Sequence, residues 1–322
     1  MTQPSLNLRV TQFGAEAKEV ALIELQAPDA RELPVFTPGA HLEVRLENGQ
    51  IRHYSLLNDS SERHRYVIAV GLAPASRGGS RLIHAKVRQG DVLQVSAPRN
   101  NFPLDVNAKR YCFVAGGIGI TPILAMIRWC MAQGKDWRLF YTVRNRQRAA
   151  FYETLLGLDS ERVHFHFNDE CAGQFLDIES LVSSLQDDEH VYCCGPAPLM
   201  QTVKAATADT PAPRIHFEWF SVPEPACEAN PQALERFSVT LQRSGLDIEV
   251  GPDQSILEAL EAHGIDVPFS CRSGICGTCE TTICSGVPDH RDYVLSDAEQ
   301  ASGETLMICV SRARTESLVL DL

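Results

Sequence analysis

The stretch Pro268 to Thr282, PFSCRSGICGTCETT, places Cys271, Cys276 and Cys279 in a C-x4-C-x2-C run, and Cys309 follows after 29 intervening residues. Three thiols on one loop, separated by Gly and Ser, let the backbone curl so that its N–H groups face the sulfurs. Thiolate is a soft ligand that suits iron or zinc. Structural zinc favours paired C-x2-C knuckles, whereas this spacing is that of a [2Fe–2S] site. Structural zinc and four scattered core cysteines are the competing readings. A one-electron centre late in a chain raises the question of where the electrons come from.

The 322 residues suffice for two or three domains. A formal net charge of -12 argues against nucleic acid or an anionic membrane as the main partner. No signal-like segment opens the sequence and no apolar run reaches bilayer length, so the expected location is the cytoplasm. In that compartment the eleven cysteines read as thiols and metal ligands.

From Leu6 to about Leu104 short alternating runs (LNLRVTQFG, VALIELQA, AHLEVRLENGQ, IRHYSLLN, RYVIAVGL, GDVLQVSAP) predict six strands, with a hairpin at Asn48-Gly49 and one helix near Ser80 to Arg88. That pattern is an antiparallel β-barrel, residues 1–104. From Tyr111 strands alternate with helices, which predicts a doubly wound parallel sheet over 105–224. A Pro- and Ala-rich linker at 225–235 leads into an α+β unit at 236–322. That unit has a hairpin turning at Ser244-Gly245, a helix capped by Ser255, the cysteine loop, and a late strand LMICVSR carrying Cys309.

Two fragments of the barrel suit a phosphorylated flavin. Arg52-His53-Tyr54-Ser55 puts Arg52 and Tyr54 on one face of a strand, an Arg for phosphate beside a Tyr for a flat ring. Arg77-Gly78-Gly79-Ser80 opens the helical run, where backbone N–H groups bind phosphate. In the sheet region, Gly116, Gly117 and Gly119 of AGGIGITP open a helix at the carboxyl end of a strand, the place where such sheets bind dinucleotides. Cys193-Cys194-Gly195-Pro196 ends another strand at the same edge. Of the two thiols, Cys193 is the one expected in the core.

In this order the motifs R-x-Y-S, G-G-S, A-G-G-I-G-I-T-P, C-G-P and C-x4-C-x2-C resemble the phthalate-dioxygenase-reductase type of flavin, nicotinamide and iron–sulfur reductase. The resemblance runs through Asp289-His290-Arg291-Asp292 to the final LVLDL. It implies a flavin-binding barrel, a nucleotide domain and a plant-type ferredoxin (β-grasp) domain. It further implies an NADH-dependent oxidoreductase that passes electrons from NADH through FMN and a [2Fe–2S] cluster to a Rieske-type non-haem iron oxygenase. The implied flavin-side residues are Arg52, His53, Tyr54, Ser55, Ala69, Val70, Arg77, Gly78, Gly79 and Ser80. The nucleotide side has Gly116, Gly117, Gly119, Thr121, Arg144, Cys194, Gly195 and Pro196. Thr121, Cys194 and Phe220 are the candidates beside the reacting rings, Phe220 as the aromatic that covers the flavin. The resemblance and the late strand select Cys309 over Cys284 as the fourth cluster ligand.

The run Arg144-Asn145-Arg146-Gln147-Arg148 offers three arginines and no ribose-binding acid, so NADPH stays open beside NADH. The surface around Arg272, Ser273 and Ile275 is the expected docking face, and His290 is left without a role. A monomer satisfies everything read here. The alternatives are a reductase of the same cofactors serving another acceptor, and a redox-sensing metal module that does not turn over.

Overall fold

Apolar side chains at alternate positions build the first sheet. Its strands are β1 (Ser5–Ala17), β2 (Val20–Gln26), β3 (His41–Arg45), β4 (Ile51–Ser55), β5 (Tyr66–Gly71) and β6 (Val92–Ser96). The computed structural model describes residues 5–72, 78–158, 161–221 and 236–322; Arg77 and the expected linker at 225–235 lie outside them. The strand order is β4-β3-β6-β1-β2-β5, with antiparallel pairing throughout. Leu8, Val10, Ile23, Leu25, Leu42, Val44, Ile68 and Val70 fill the interior. The two ends of the sheet meet through a Leu56–Ile68 bridge and a 3.0 Å bond from Leu57 N–H to the Val67 carbonyl, which makes the sheet a barrel. Gly49, at φ +80°, makes the expected β3–β4 turn. Helix α1 (Gly79–Lys86) follows β5.

The parallel sheet comprises β7 (Arg110–Gly116), α2 (Ile120–Ala132), β8 (Asp136–Val143), α3 (Tyr152–Leu156), β9 (Val163–Phe167), α4 (Ile178–Ser183), β10 (Glu189–Cys194), α5 (Ala197–Ala206) and β11 (Ile215–Glu218). The order β11-β10-β7-β8-β9 changes direction between β7 and β10, a topological switch point. Barrel and sheet share one core, in which Val20, Val67 and Ala69 pack with Phe113, Ile123 and Tyr141. They form one compact unit, Met1–Phe220.

The second unit, Ser221–Leu322, holds β12 (Phe237–Leu241), β13 (Asp247–Val250), α6 (Ile256–Ala262), β14 (Glu280–Ser285), β15 (Pro288–Asp289), α7 (Asp297–Ser302), β16 (Thr305–Met307), β17 (Arg312–Ala313) and β18 (Ser317–Leu320). Its main sheet runs β13-β12-β18-β14-β16, with β12 parallel to β18. Ile256, Leu257 and Leu260 of α6 pack into that core, which is the β-grasp arrangement. Two details differ from the sequence reading. Cys309 is not on a strand: β16 ends at Met307, and the N–H groups of Val310 and Ser311 turn back to the Met307 carbonyl. The polar stretch before it contains α7, which the sequence reading had left unassigned.

Candidate functional site

The two barrel fragments come together across α1. Gly78 is left-handed at φ +99° and stands at the N-cap without a side-chain cap bond of its own, and the first turn holds no acid. A Cβ on Gly79 would lie 2.5 Å from Arg52 Nε, so only glycine lets the Arg52 side chain lie over this turn. Arg52 is steadied from Nη1 to the Ile51 carbonyl at 2.8 Å and from Nη2 to Gln50 Oε1 at 3.0 Å. A guanidinium beside a helix N-terminus is a chemical fit for a phosphate. Tyr54 shares the Arg52 face of β4, and burial pushes its hydroxyl up to about 12. His53 is not brought to that face: it packs on His41, ring centroids 5.1 Å apart. Burial lowers the pair to about 4 and about 3, so both rings are neutral. On β5, Ala69 and Val70 are buried, Val70 wholly inside the barrel core.

The turns that follow β7 and β10 interlock at the switch point. A Cβ on Gly119 would meet the Cys194 carbonyl oxygen at 2.2 Å, and one on Gly116 would meet Pro196 Cδ at 2.6 Å. No side chain larger than hydrogen fits between the two strand ends. Gly117 is left-handed at φ +53°, and Thr121, the second residue of α2, returns its hydroxyl to the Ile118 carbonyl at 3.0 Å. Ile118 lies against the position a Cβ on Gly71 would take, 3.5 Å away, so the glycine turn adjoins the end of β5. Pro196 stands at the N-cap of α5, next to Gly195.

Beneath these turns lies a residue the sequence reading did not single out. Glu218, the last residue of β11 and the register partner of Cys194, is half-buried, with its Oε2 closed off from solvent. Burial pushes its carboxyl up to about 8, against the opposing effect of a hydrogen bond with Ser55 of β4, so it carries a proton at neutral pH. Its Oε2 has no partner among the described residues. Cys194 is raised well above an ordinary thiol, first by burial and then by Glu218, and stays neutral. Both thiols are buried: the Cys193 sulfur lies 3.5 Å from Met200 Sδ, and Cys194, expected to face the crevice, packs instead in the core shared by barrel and sheet. The signal for Glu218 was available: one acid in the otherwise apolar run HFEWF, at the carboxyl edge of a parallel sheet. Phe220, two residues on, is 39% exposed.

The three arginines after β8 do not stand free. Arg146 makes paired bonds to Glu170, Arg148 binds Glu19, and Arg144 approaches Asp169 at 3.7 Å. The acids at 169 and 170 follow β9, so they come from the neighbouring strand end rather than from the run itself.

In the second unit the four cysteines cluster. Cys271 contacts both Cys276 and Cys309, and Cys309 contacts Cys279. Backbone N–H groups point at them: Cys271 N to Cys276 Sγ at 3.5 Å, Ser273 N to Cys271 Sγ at 3.3 Å, and Gly274 N toward Cys309. A hydrogen bond with Cys271 favours ionisation of Cys309, but the Cys279 contact and burial outweigh it and push that thiol up to about 12. A cation among the packed sulfurs would offset the cost of ionising Cys309. Among the described residues no group of His, Cys, Asp or Glu could hold a single metal ion. A two-iron cluster instead divides four thiolates between two irons, and the donor set of four sulfurs with inward backbone N–H groups fits it. Cys284 is exposed on β14, away from this contact network.

Comparison with known proteins agrees with this division. Residues 239–314 match a family described as 2Fe-2S iron-sulfur cluster binding domain, and residues 113–205 match an oxidoreductase NAD-binding domain. The chain is 43% identical over 329 residues to phthalate dioxygenase reductase of Burkholderia cepacia, covering 100% of both chains. It is also 43% identical over 328 residues to tetrachlorobenzoquinone reductase of Sphingobium chlorophenolicum, again covering 100% of both. An intact type IV self-sufficient cytochrome P450 monooxygenase superposes with a TM-score of 0.90 at 40% identity; the match takes in 99% of this chain and 41% of that longer one. The chain therefore belongs to the phthalate dioxygenase reductase family, oxidoreductases that unite an NAD-binding domain with a [2Fe–2S] domain for electron transfer.

Proposed function

We propose that the protein is the reductase component of a two-component Rieske-type oxygenase system, drawing electrons from NADH. The observation that carries this reading is the meeting, in one unit, of the Arg52–α1 phosphate cradle with the glycine crevice at the switch point, followed by a separate unit with four clustered thiols. FMN, when bound, accepts a hydride and releases its electrons singly, and the cluster takes one at a time.

The chain's own work is positioning. Arg52 with Gly78, Gly79 and Ser80 holds the flavin phosphate, and Tyr54 with the β5 backbone at Ala69 and Val70 bounds the ring. Gly116, Gly117, Gly119 and Thr121 admit the dinucleotide, with Cys194, Gly195 and Pro196 at its nicotinamide end and Phe220 over the exposed face. Neutral Glu218 and Cys194 keep negative charge away from the point where a hydride crosses, where a buried anion would oppose the transfer. Arg146 and Arg148, hydrogen-bonded to Glu170 and Glu19, are drawn away from the role of holding a 2′-phosphate, which favours NADH over NADPH. Cys271, Cys276, Cys279 and Cys309 hold the cluster.

The chain works as a monomer in the cytoplasm; among the described residues no helix is long and apolar enough to cross a membrane. The purified protein is expected to be yellow-brown, to hold about two irons per chain, and to reduce ferricyanide and cytochrome c with NADH. Zinc without flavin would sink the reading. The full-length relative named for a quinone substrate supports one second reading, a small quinone as acceptor. Comparing turnover with an oxygenase and with a benzoquinone separates the two.

A further inference from the structure

The second unit is acidic: residues 236–322 contain fourteen Asp and Glu, six Arg and no Lys. Five of those arginines have hydrogen-bonded guanidinium groups. Arg236 binds Glu249, Arg243 binds Asp321, Arg272 binds Glu261, Arg291 binds Asp289, and Arg312 binds the Gly251 and Gln254 carbonyls. Arg272, on the expected docking face, is thus neutralised, and it also stacks 4.1 Å from the Phe269 ring centroid. Arg314 differs. Among the described residues its guanidinium makes a single 3.6 Å approach, to Asp289 Oδ1, while Arg291 bonds the other oxygen, Oδ2. Nearly half exposed, it forms one wall of a hollow of about 460 Å³ also lined by Val287, His290, Gln300, Ser302 and Gly303.

We infer that this hollow is a socket for a carboxylate side chain of the protein that accepts the electrons, with Arg314 as its counter-ion. The inference rests on the reading of the chain as a reductase for a protein acceptor. A guanidinium held by one 3.6 Å ion pair and, among the described residues, by no hydrogen bond is the place in this acidic unit where an acidic side chain of a partner meets available positive charge. Val287, 49% exposed at the rim, adds apolar contact.

The hollow is also tied to the thiol loop. Residues 289–293 line or adjoin it, and from this strap Arg291 N–H bonds Ser311 Oγ at 3.2 Å, two residues past Cys309. Tyr293 N–H bonds the Gly274 carbonyl at 2.8 Å, between Cys271 and Cys276. Along the strap, His290 and Asp292 Oδ1 face each other at 3.8 Å, and neither His290 nitrogen nor that oxygen has a hydrogen-bond partner among the described residues. A carboxylate that draws Arg314 from Asp289 acts on the strap that anchors both cysteine segments.

The test is steady-state turnover of the full-length, cofactor-loaded protein with NADH, using a Rieske-type oxygenase and then ferricyanide as acceptor. Arg314→Glu is expected to raise the oxygenase KM about tenfold or more and to leave ferricyanide turnover unchanged. Arg243→Glu, the same charge change at a paired surface arginine, should move that KM less than about twofold. Arg314→Gln, which avoids a new acid beside Asp289, should give an intermediate rise. Equal shifts for Arg314→Glu and Arg243→Glu would reduce the effect to net charge and overturn the socket, as would no shift in either Arg314 variant. Wild-type protein that turns over ferricyanide but no oxygenase would overturn the acceptor reading and the socket with it.

Discussion

Cys194 and the four cysteines of the second unit are the same chemical group under opposite demands. Cys194, the last residue of β10, packs in the core beside a protonated carboxyl, and burial keeps it a neutral thiol. The other four crowd one another, with backbone N–H groups aimed at their sulfurs, and the Cys279 contact and burial push Cys309 up to about 12. In the proposed function neutrality at the first site suits a reaction that moves negative charge, whereas at the second metal binding calls for thiolates. Environment, not residue type, assigns the role.

The contrast breaks most visibly at Cys309. Cys309→Ser should lower iron content and cut NADH-dependent cytochrome c reduction by about a hundredfold or more, while ferricyanide turnover persists. Cys194→Ser should keep all its iron, and equal iron loss in both variants would erase the distinction. Next in size is Gly119→Ala. Its methyl would collide with the Cys194 carbonyl at 2.2 Å, so the NADH KM should rise at least about tenfold with cluster content unchanged.

Glu218→Gln sharpens the account of the neutral site. The carboxyl titrates near 4.5 when unfolded and at about 8 when folded, so the folded chain holds an extra proton between those values. Stability from this group is complete below about pH 4.5, declines as pH rises, and is gone above about pH 8. Denaturant midpoints measured across that window should fall with pH in the wild type and fall less steeply in the amide variant. The smallest effect belongs to Ser255→Ala, which removes the capping box of α6 with Glu258 and should cost about 1 kcal/mol in urea unfolding, with turnover unaltered.

Much of this was legible before any coordinates. The six barrel strands follow from period-two alternation, and the glycine turns announce close backbone approach. The misses have physical causes. Helix α3 begins only at Tyr152 because Phe151 adopts a left-handed conformation, its N–H held by Glu16 of β1, a tertiary bond that no local pattern encodes. Helix α7 is polar throughout and so has no hydrophobic period, although Ser296 and Glu299 spell out its capping box. Cys309 lies in an apolar run that reads as strand, and only its return bonds to Met307 show the turn. The resemblance places His53 with Arg52 on the flavin side, and strand alternation turns its ring to the opposite face, against His41. Glu218 needed its partners, Ser55 from the barrel and Cys194 from β10, to become more than an acid on a strand.

The central claim is an order: NADH gives its electrons first to the flavin site of the first unit and only then do they reach the thiol-bound cluster of the second. Rapid mixing of the full-length protein with NADH under anaerobic conditions, followed by visible absorbance and freeze-quench EPR, tests it directly. The account predicts that flavin absorbance is lost before the cluster's paramagnetic signal grows, and that Cys309→Ser keeps the first event while losing the second. A cluster signal that precedes flavin bleaching, or a Cys309→Ser protein that loses both events with its flavin still bound, would contradict it.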